Sequence, residues 1–314
     1  MAAMDVESVH PELRAALRRL PSLNSRTRLG RLVGRLGPRM LRATRVAGVT
    51  TSTVRAGVLR LRVYRPDRAR SGPGLLWVHG GGLVIGAAKQ DDRLCAGTAG
   101  RLGITVVSVE YRLAPEWPFP AALEDAAAAW QWIAANGPDL GIDPARVAVG
   151  GESAGGGIAA SLVQRLHDTA AVQPVAQWLF APMLDDRTAA RSELDAIDHP
   201  VWNNRANRFG WAAYLGQEPG ADELPPYAVP ARRVDLAGLP PTWLSVGDIE
   251  LFHDEVAAYA GRLRAAGVAV EIEVVPGGAH GFENWASSTH LAHQLVSGAQ
   301  EWLASTLRIA LDLR

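Results

Sequence analysis

Residues Val147-Ala148-Val149-Gly150-Gly151-Glu152-Ser153-Ala154-Gly155-Gly156-Gly157 leave few folds open to this chain. A β-branched run enters a glycine-rich corner, one serine stands at the corner, and an Ala/Leu-rich helical pattern follows. Read as strand, tight turn and helix, the stretch puts Ser153 at the tip of a sharp turn with its hydroxyl forced outward. Gly151 and Gly155 flank the serine at G-x-S-x-G spacing, where side chains would collide as strand and helix converge. A glycine-rich turn with an incidental serine has the same five letters, so the surrounding chain decides between them.

That chain alternates. Two patterned runs, Arg45 to Thr53 and Val58 to Arg65, predict an antiparallel strand pair. Leu75 to Val78 is a shorter, more apolar strand. Helix 91–102, strand 104–109, helix 121–135, strand 147–149 and the helix after Ser153 follow. Strands 174–180, 242–246 and 268–275 then surround a helix over 252–266, and a last helix covers 289–307. Apolar strands alternating with helices predict an α/β fold with a largely parallel sheet covered on both faces. Sites in such sheets form at the carboxyl ends of strands, where Ser153 lies.

Two stretches break the alternation. Pro11 to Leu20 and a second segment with Leu29, Leu32, Val33 and Leu36 on one face read as amphipathic helices, the second ended by Gly37-Pro38. From Met183 to about Tyr227 the chain is polar and aromatic without a strand signal, as expected of an insertion hanging over the site. The division expected is 1–44 as an N-terminal helical cap segment and 45–182 as the first part of the core. Residues 183–227 form the cap insertion and 228–314 the second part of the core.

Charge separates these pieces. Formal net charge is zero, which gives no global reason to expect nucleic acid, yet Leu13 to Pro66 holds fourteen arginines and no acidic residue. A structural cap, a membrane-surface or anionic-partner site, and a transit peptide are all compatible with that stretch. The insertion carries Asp185, Asp186, Glu193, Asp195 and Asp198 against Arg187 and Arg191, so basic helices and acidic insertion are expected to pack as one charge-complementary cap. No apolar run is long enough to span a bilayer, and Asp5 and Glu7 stand where a signal peptide needs basic residues. The single cysteine, Cys95, excludes an internal disulfide and a Cys-based metal site, and the default setting is cytoplasmic.

A serine hydroxyl becomes a useful nucleophile when a base takes its proton and a third group orients that base. Beyond Ser153, His280 alone among the histidines sits in a glycine-flanked loop just after a strand, in Pro276-Gly277-Gly278-Ala279-His280-Gly281-Phe282. The acid should fall between serine and histidine. Asp248, one residue past a strand, is the expected acid, with Glu250 and Asp254 as rivals. His79-Gly80-Gly81-Gly82 follows another strand; it lacks G-x-G-x-x-G and a following Gly-Lys-Ser/Thr, so it suits an oxyanion better than a nucleotide. Ala154, opening the next helix, adds a further N–H donor.

His79-Gly80-Gly81-Gly82, Gly151-Glu152-Ser153-Ala154-Gly155-Gly156, the run Glu110 to Pro120, Gly247-Asp248 with Asp254-Glu255, and His280-Gly281-Phe282 together resemble the bacterial hormone-sensitive-lipase-like esterases of the α/β-hydrolase fold. The resemblance covers roughly Val58 to Leu307. It implies an eight-stranded sheet with a helical cap, and hydrolysis of carboxylic esters of short to medium acyl chains through an acyl-enzyme, with no metal or organic cofactor. It implies Ser153 as nucleophile, Asp248 as orienting acid, His280 as base, and Gly81, Gly82 and Ala154 as oxyanion donors. His79 would be structural, Arg112 and Glu116 would pair, and Trp117 stands where many members have histidine. Trp202, Phe209 and Trp211 are candidates for the substrate pocket, with core packing as the alternative. A small-molecule ester is the partner expected. Nucleic acid is not expected, while a homodimer and membrane association of the basic N-terminus stay open. An amidase or peptidase with the same triad, and a non-catalytic receptor on the same fold, are the alternative functions.

Overall fold

The computed structural model describes residues 2–3, 6–21, 23–67 and 72–310; Asp5, which weighs against a signal peptide, lies outside them. The chain opens with β1 (Ala2–Ala3), α1 (Pro11–Leu17) and α2 (Arg28–Met40). The sheet and its first helices follow as β2 (Val49–Ala56), β3 (Leu59–Pro66), β4 (Gly72–Val78), α3 (Asp92–Leu102), β5 (Thr105–Glu110) and α4 (Ala121–Asn136). Next come β6 (Ile142–Glu152), α5 (Ala154–Thr169) and β7 (Gln177–Phe180). The insertion supplies α6 (Asp186–Ala190), β8 (Ile197–Asp198) and α7 (Asn204–Leu215). The chain closes with β9 (Thr242–Gly247), α8 (His253–Ala265), β10 (Val270–Val275), α9 (Phe282–Trp285) and α10 (His290–Thr306).

Eight strands form one sheet in the order β10-β9-β7-β6-β4-β5-β3-β2. β3 runs antiparallel to β2 and β5; the other pairings are parallel. This is the predicted α/β architecture. Ile158, Leu162, Trp130 and Tyr259 cover one face from α5, α4 and α8. Leu94, Leu102, Leu295 and Leu303 cover the other from α3 and α10. Beneath α10, Trp77, Trp178, Phe180 and Trp243 pack edge to face or tilted at centroid distances of 4.8 to 5.6 Å along the chain of contacts. Such offset geometry is favoured by the ring quadrupole.

The basic N-terminal helices differ from expectation in three ways. First, α2 continues through Pro38 to Met40. Proline lacks the N–H that would bond the carbonyl of Gly34. That carbonyl instead accepts Gly86 N–H at 3.1 Å, so the helix survives by bonding a neighbouring loop. Second, the helix is turned over: Gly30, Arg31 and Gly34 are buried, while Leu29, Leu32, Val33, Leu36 and Met40 are exposed. A Cβ at Gly34 would lie 2.8 Å from Ile85, so the glycine lets the backbone approach where a leucine could not.

Third, the expected charge pairing within the cap is overturned. Arg35 and Arg39 reach Glu116 and Glu110 of the core at 2.6 and 2.5 Å. The insertion's acids are taken by other arginines: Asp185 by Arg187, Glu193 by Arg191 and Asp195 by Arg208 within the insertion, and Asp186 by Arg232 just beyond it. Arg112 likewise bonds Asp125 and not Glu116. The two cap pieces meet instead through backbone pairing of Ala2–Ala3 with Ile197–Asp198, a two-residue ladder too short for any sequence pattern, and through Arg31 over the Phe209 ring at 5.1 Å.

Candidate active site

β6 delivers Ser153 to its corner. The residue holds φ 54° and ψ −122°, a strained conformation for a side-chain-bearing residue. Its N–H donates to Phe180 O at 2.8 Å, and its carbonyl accepts from Met183 N and Gly157 N. A Cβ at Gly151 would stand 2.5 Å from Gly155 C, and one at Gly155 would stand 2.1 Å from Val78 O. Both glycines are therefore demanded by the close crossing of strand and helix.

Ser153 Oγ lies 2.8 Å from His280 Nε2, and His280 Nδ1 lies 3.1 Å from Glu250 Oε2. The imidazole sits edge-on to Phe252 at 5.2 Å, and its carbonyl accepts Trp285 Nε1–H at 2.8 Å. All three relay groups are buried: Ser153, His280 and Glu250 are 5, 6 and 5 % exposed.

The structure does not bring Asp248 to His280. Its carboxylate accepts Gly277 N–H at 2.7 Å on the exposed side, pinning the start of the histidine loop. The chain turns after β9 ends at Gly247, so the glutamate two residues further on faces the imidazole and the aspartate nearest the strand does not. Asp254, the other rival, is an exposed neighbour of His253.

The loop after β4, expected to hold an oxyanion, is a tight turn: Val84 N–H and Ile85 N–H both donate to Gly81 O, at 3.1 and 3.0 Å. Gly81 and Gly82 hold φ 126° and 55°, and a Cβ at Gly81 would stand 2.2 Å from Ile85 O. The loop abuts Ser153, for a Cβ at Gly80 would sit 3.4 Å from Ser153 Cβ. Ala154 opens α5 directly beyond Ser153, where helix N–H groups lack partners within the helix. His79 is a brace. It stacks on Tyr111 at 4.3 Å, its Nδ1 lies 2.8 Å from Gly80 O, and burial holds its pKa below the ordinary value. Tyr111 OH completes the brace by donating to His79 O at 3.0 Å.

The three candidate pocket aromatics separate. Trp202 lies against the Gly81-Gly82 turn, and a Cβ at Gly82 would fall 2.0 Å from its ring. Gly210, on α7, packs beside the Gly82 carbonyl. Phe209 is turned toward Arg31 of α2, and Trp211 is core, 6.0 Å from Tyr214. Trp117 is half exposed under the Arg112 guanidinium.

Behind the relay is a buried carboxylate cluster. Asp91 is pushed up to about 7, chiefly by burial. Glu283 is also pushed up to about 7 by burial. Glu152 is raised for the same reason, with Asp91 and Glu283 adding repulsion. Trp77 Nε1–H donates to Asp91, and Asn284 donates to both Asp91 and Glu152. Folded-state values above the unfolded ones mean that this cluster's contribution to stability is full below about pH 4 and is lost as pH rises through about 7. Removing one such ionisation is worth on the order of 3 kcal/mol. Thermal scans should therefore show the melting temperature falling between about pH 5 and pH 8. Glu283→Gln should flatten that fall; an unchanged slope in the variant would count against the cluster as its cause.

Residues 75–284 match the family described as alpha/beta hydrolase fold. Esterase LipI of Mycobacterium tuberculosis is 37% identical over 74% of this chain and 73% of its own length. An ethyl acetate hydrolase of Pseudomonas putida is 34% identical over 76% of this chain and 75% of its own. Among solved structures, a bacterial heroin esterase superposes with TM-score 0.87 at 37% identity, covering 96% of this chain and 99% of that one. The chain belongs to the α/β-hydrolase family, in its hormone-sensitive-lipase-like carboxylesterase branch.

Proposed function

We propose that Ser153, His280 and Glu250 form the catalytic triad of an esterase acting on small-molecule esters of short to medium acyl chains. The observation that carries this reading is the buried relay: 2.8 Å from Ser153 Oγ to His280 Nε2 and 3.1 Å from His280 Nδ1 to Glu250 Oε2. With Nδ1–H donating to the glutamate, Nε2 is left to accept the serine proton. Ser153 Oγ attacks the ester carbonyl as His280 takes that proton. The negative charge forming on the carbonyl oxygen is met by the N–H groups of Gly81, Gly82 and Ala154; one such donor is worth about 2.7–4 kcal/mol of barrier. Collapse expels the alcohol, which leaves with the proton from His280. Water then gives a proton to His280 and attacks the acyl-enzyme, releasing the acid and restoring Ser153. Glu250 keeps its negative charge throughout and stabilises the imidazolium.

His280 in its relay argues against a non-catalytic receptor. An esterase is favoured over an amidase by the similarity to proteins named as esterases and ethyl acetate hydrolase. Trp202, packed on Gly82, is the side chain we assign to limiting acyl length. A series of p-nitrophenyl esters of increasing acyl length, run beside the matching p-nitroanilides, tests the reading. The expected result is a maximum of kcat/KM within the short to medium esters and anilide hydrolysis slower by about 100-fold or more. Comparable rates on esters and anilides would move the assignment to an amidase.

A further inference from the structure

The outward face of α2 is unused by the reaction described above. Leu29, Leu32, Val33, Leu36 and Met40 recur at helical spacing and stand 71, 53, 52, 45 and 83 % exposed, with Leu41 continuing the patch. An apolar stripe of this kind ordinarily turns inward. Here the glycines take the inward position and the leucines are left in water, at a cost that asks for an occupant.

We propose that α2 is an interfacial helix whose outward face docks on an anionic lipid surface. Charge selects this occupant. The segment from Leu13 to Pro66 contains fourteen arginines and no acid. Arg28 flanks the stripe on one edge of the helix and Arg42 follows its end, both exposed; Arg39, on the same edge, is already paired with Glu110. Arg28 and Arg42 form no ion pair among the described residues. A second copy meeting through the same face would set basic rim against basic rim, because a two-fold contact presents identical surfaces to each other. Anionic headgroups instead complement the rim while acyl chains cover the leucines. At about 1.5 Å per residue the thirteen residues of α2 reach roughly 20 Å, against a hydrocarbon core of about 30 Å. The helix is of a length to lie in the interface. Among the described residues no helix is long and apolar enough to cross a membrane.

Docking there would place the catalytic centre beside the surface. Gly34 O accepts Gly86 N–H at 3.1 Å, and Arg35 donates to Val84 O at 2.9 Å and to Ala114 O at 2.7 Å. The helix is thus bonded directly to the loop that carries Gly81 and Gly82.

Flotation of the full-length protein with vesicles of phosphatidylcholine alone, or of phosphatidylcholine and phosphatidylglycerol in equal parts, tests the proposal. The wild type should float with the anionic vesicles and weakly with the neutral ones. Leu32→Ser/Val33→Ser/Leu36→Ser, confined to exposed positions, should lower partitioning by at least about tenfold. Arg28→Glu/Arg42→Glu should lose the preference for anionic vesicles and most of its salt dependence. Both variants should hydrolyse a soluble p-nitrophenyl ester as the wild type does. Wild-type protein that ignores both vesicles, floats equally with both, or floats as well with the face changed would overturn the proposal. So would a charge variant that keeps the anionic preference. A dimer in lipid-free sedimentation velocity that the triple-serine variant abolishes would assign the face to a second copy and likewise overturn it.

Discussion

Ser153→Ala is expected to lower kcat on a p-nitrophenyl ester by about a millionfold, with little change in KM and an unaltered circular dichroism spectrum. The size follows from covalency: without Oγ no acyl-enzyme forms, and the donors of Gly81, Gly82 and Ala154 are left to assist direct attack by water. The spectrum should hold because the corner is enforced by its neighbours. Phe180 O takes Ser153 N–H, Met183 N and Gly157 N bond its carbonyl, and Gly151 and Gly155 give the clearance. Alanine also accepts the strained φ of 54° no worse than serine does. A loss of only a few-fold would place the nucleophile elsewhere.

The second large effect separates two carboxylates two residues apart. Glu250→Ala should lower kcat by about 10⁴-fold, because His280 then loses the group that fixes its tautomer and stabilises its imidazolium. Asp248→Ala should leave kcat within about tenfold of wild type. Its cost is the hydrogen bond from Gly277 N–H, worth about 1 kcal/mol of stability at an exposed site. Steady-state kinetics and denaturant unfolding on both variants read the two effects. Exchange of the two outcomes would return the catalytic role to Asp248.

These two residues mark where sequence stops being informative. Ser153 was legible because the requirement is steric: only a close crossing of strand and helix demands a glycine on each side of a serine at such a corner. His280 was legible from position, as the one histidine in a glycine-flanked loop after a strand. The acid was not, since Asp248 and Glu250 occupy the same short turn and only its winding decides which carboxylate meets the imidazole. The contact of Trp202 with Gly82 was equally hidden, because close approach of separate elements leaves no local pattern.

The cap shows the same limit on a larger scale. Spacing placed Leu29, Leu32, Val33 and Leu36 on one face of α2, and they do share a face. Periodicity cannot say which way a face turns when the opposite side offers Gly30 and Gly34 for close packing. Opposite charges in two segments do not make partners of them either: the acids of the insertion had nearer arginines, and Arg35 and Arg39 found Glu116 and Glu110 of the core. The alternation of strands and helices and the largely parallel sheet, by contrast, follow from patterns repeated over many residues.

Trapping the acyl-enzyme tests the central claim most directly. On rapid mixing with a p-nitrophenyl ester and acid quench, the protein should release a burst approaching one p-nitrophenolate per chain. The quenched protein should gain the mass of one acyl group, located by peptide mass spectrometry on Ser153, and Ser153→Ala should show neither burst nor adduct. Turnover without any adduct, or an acyl group carried by another residue, would contradict the account.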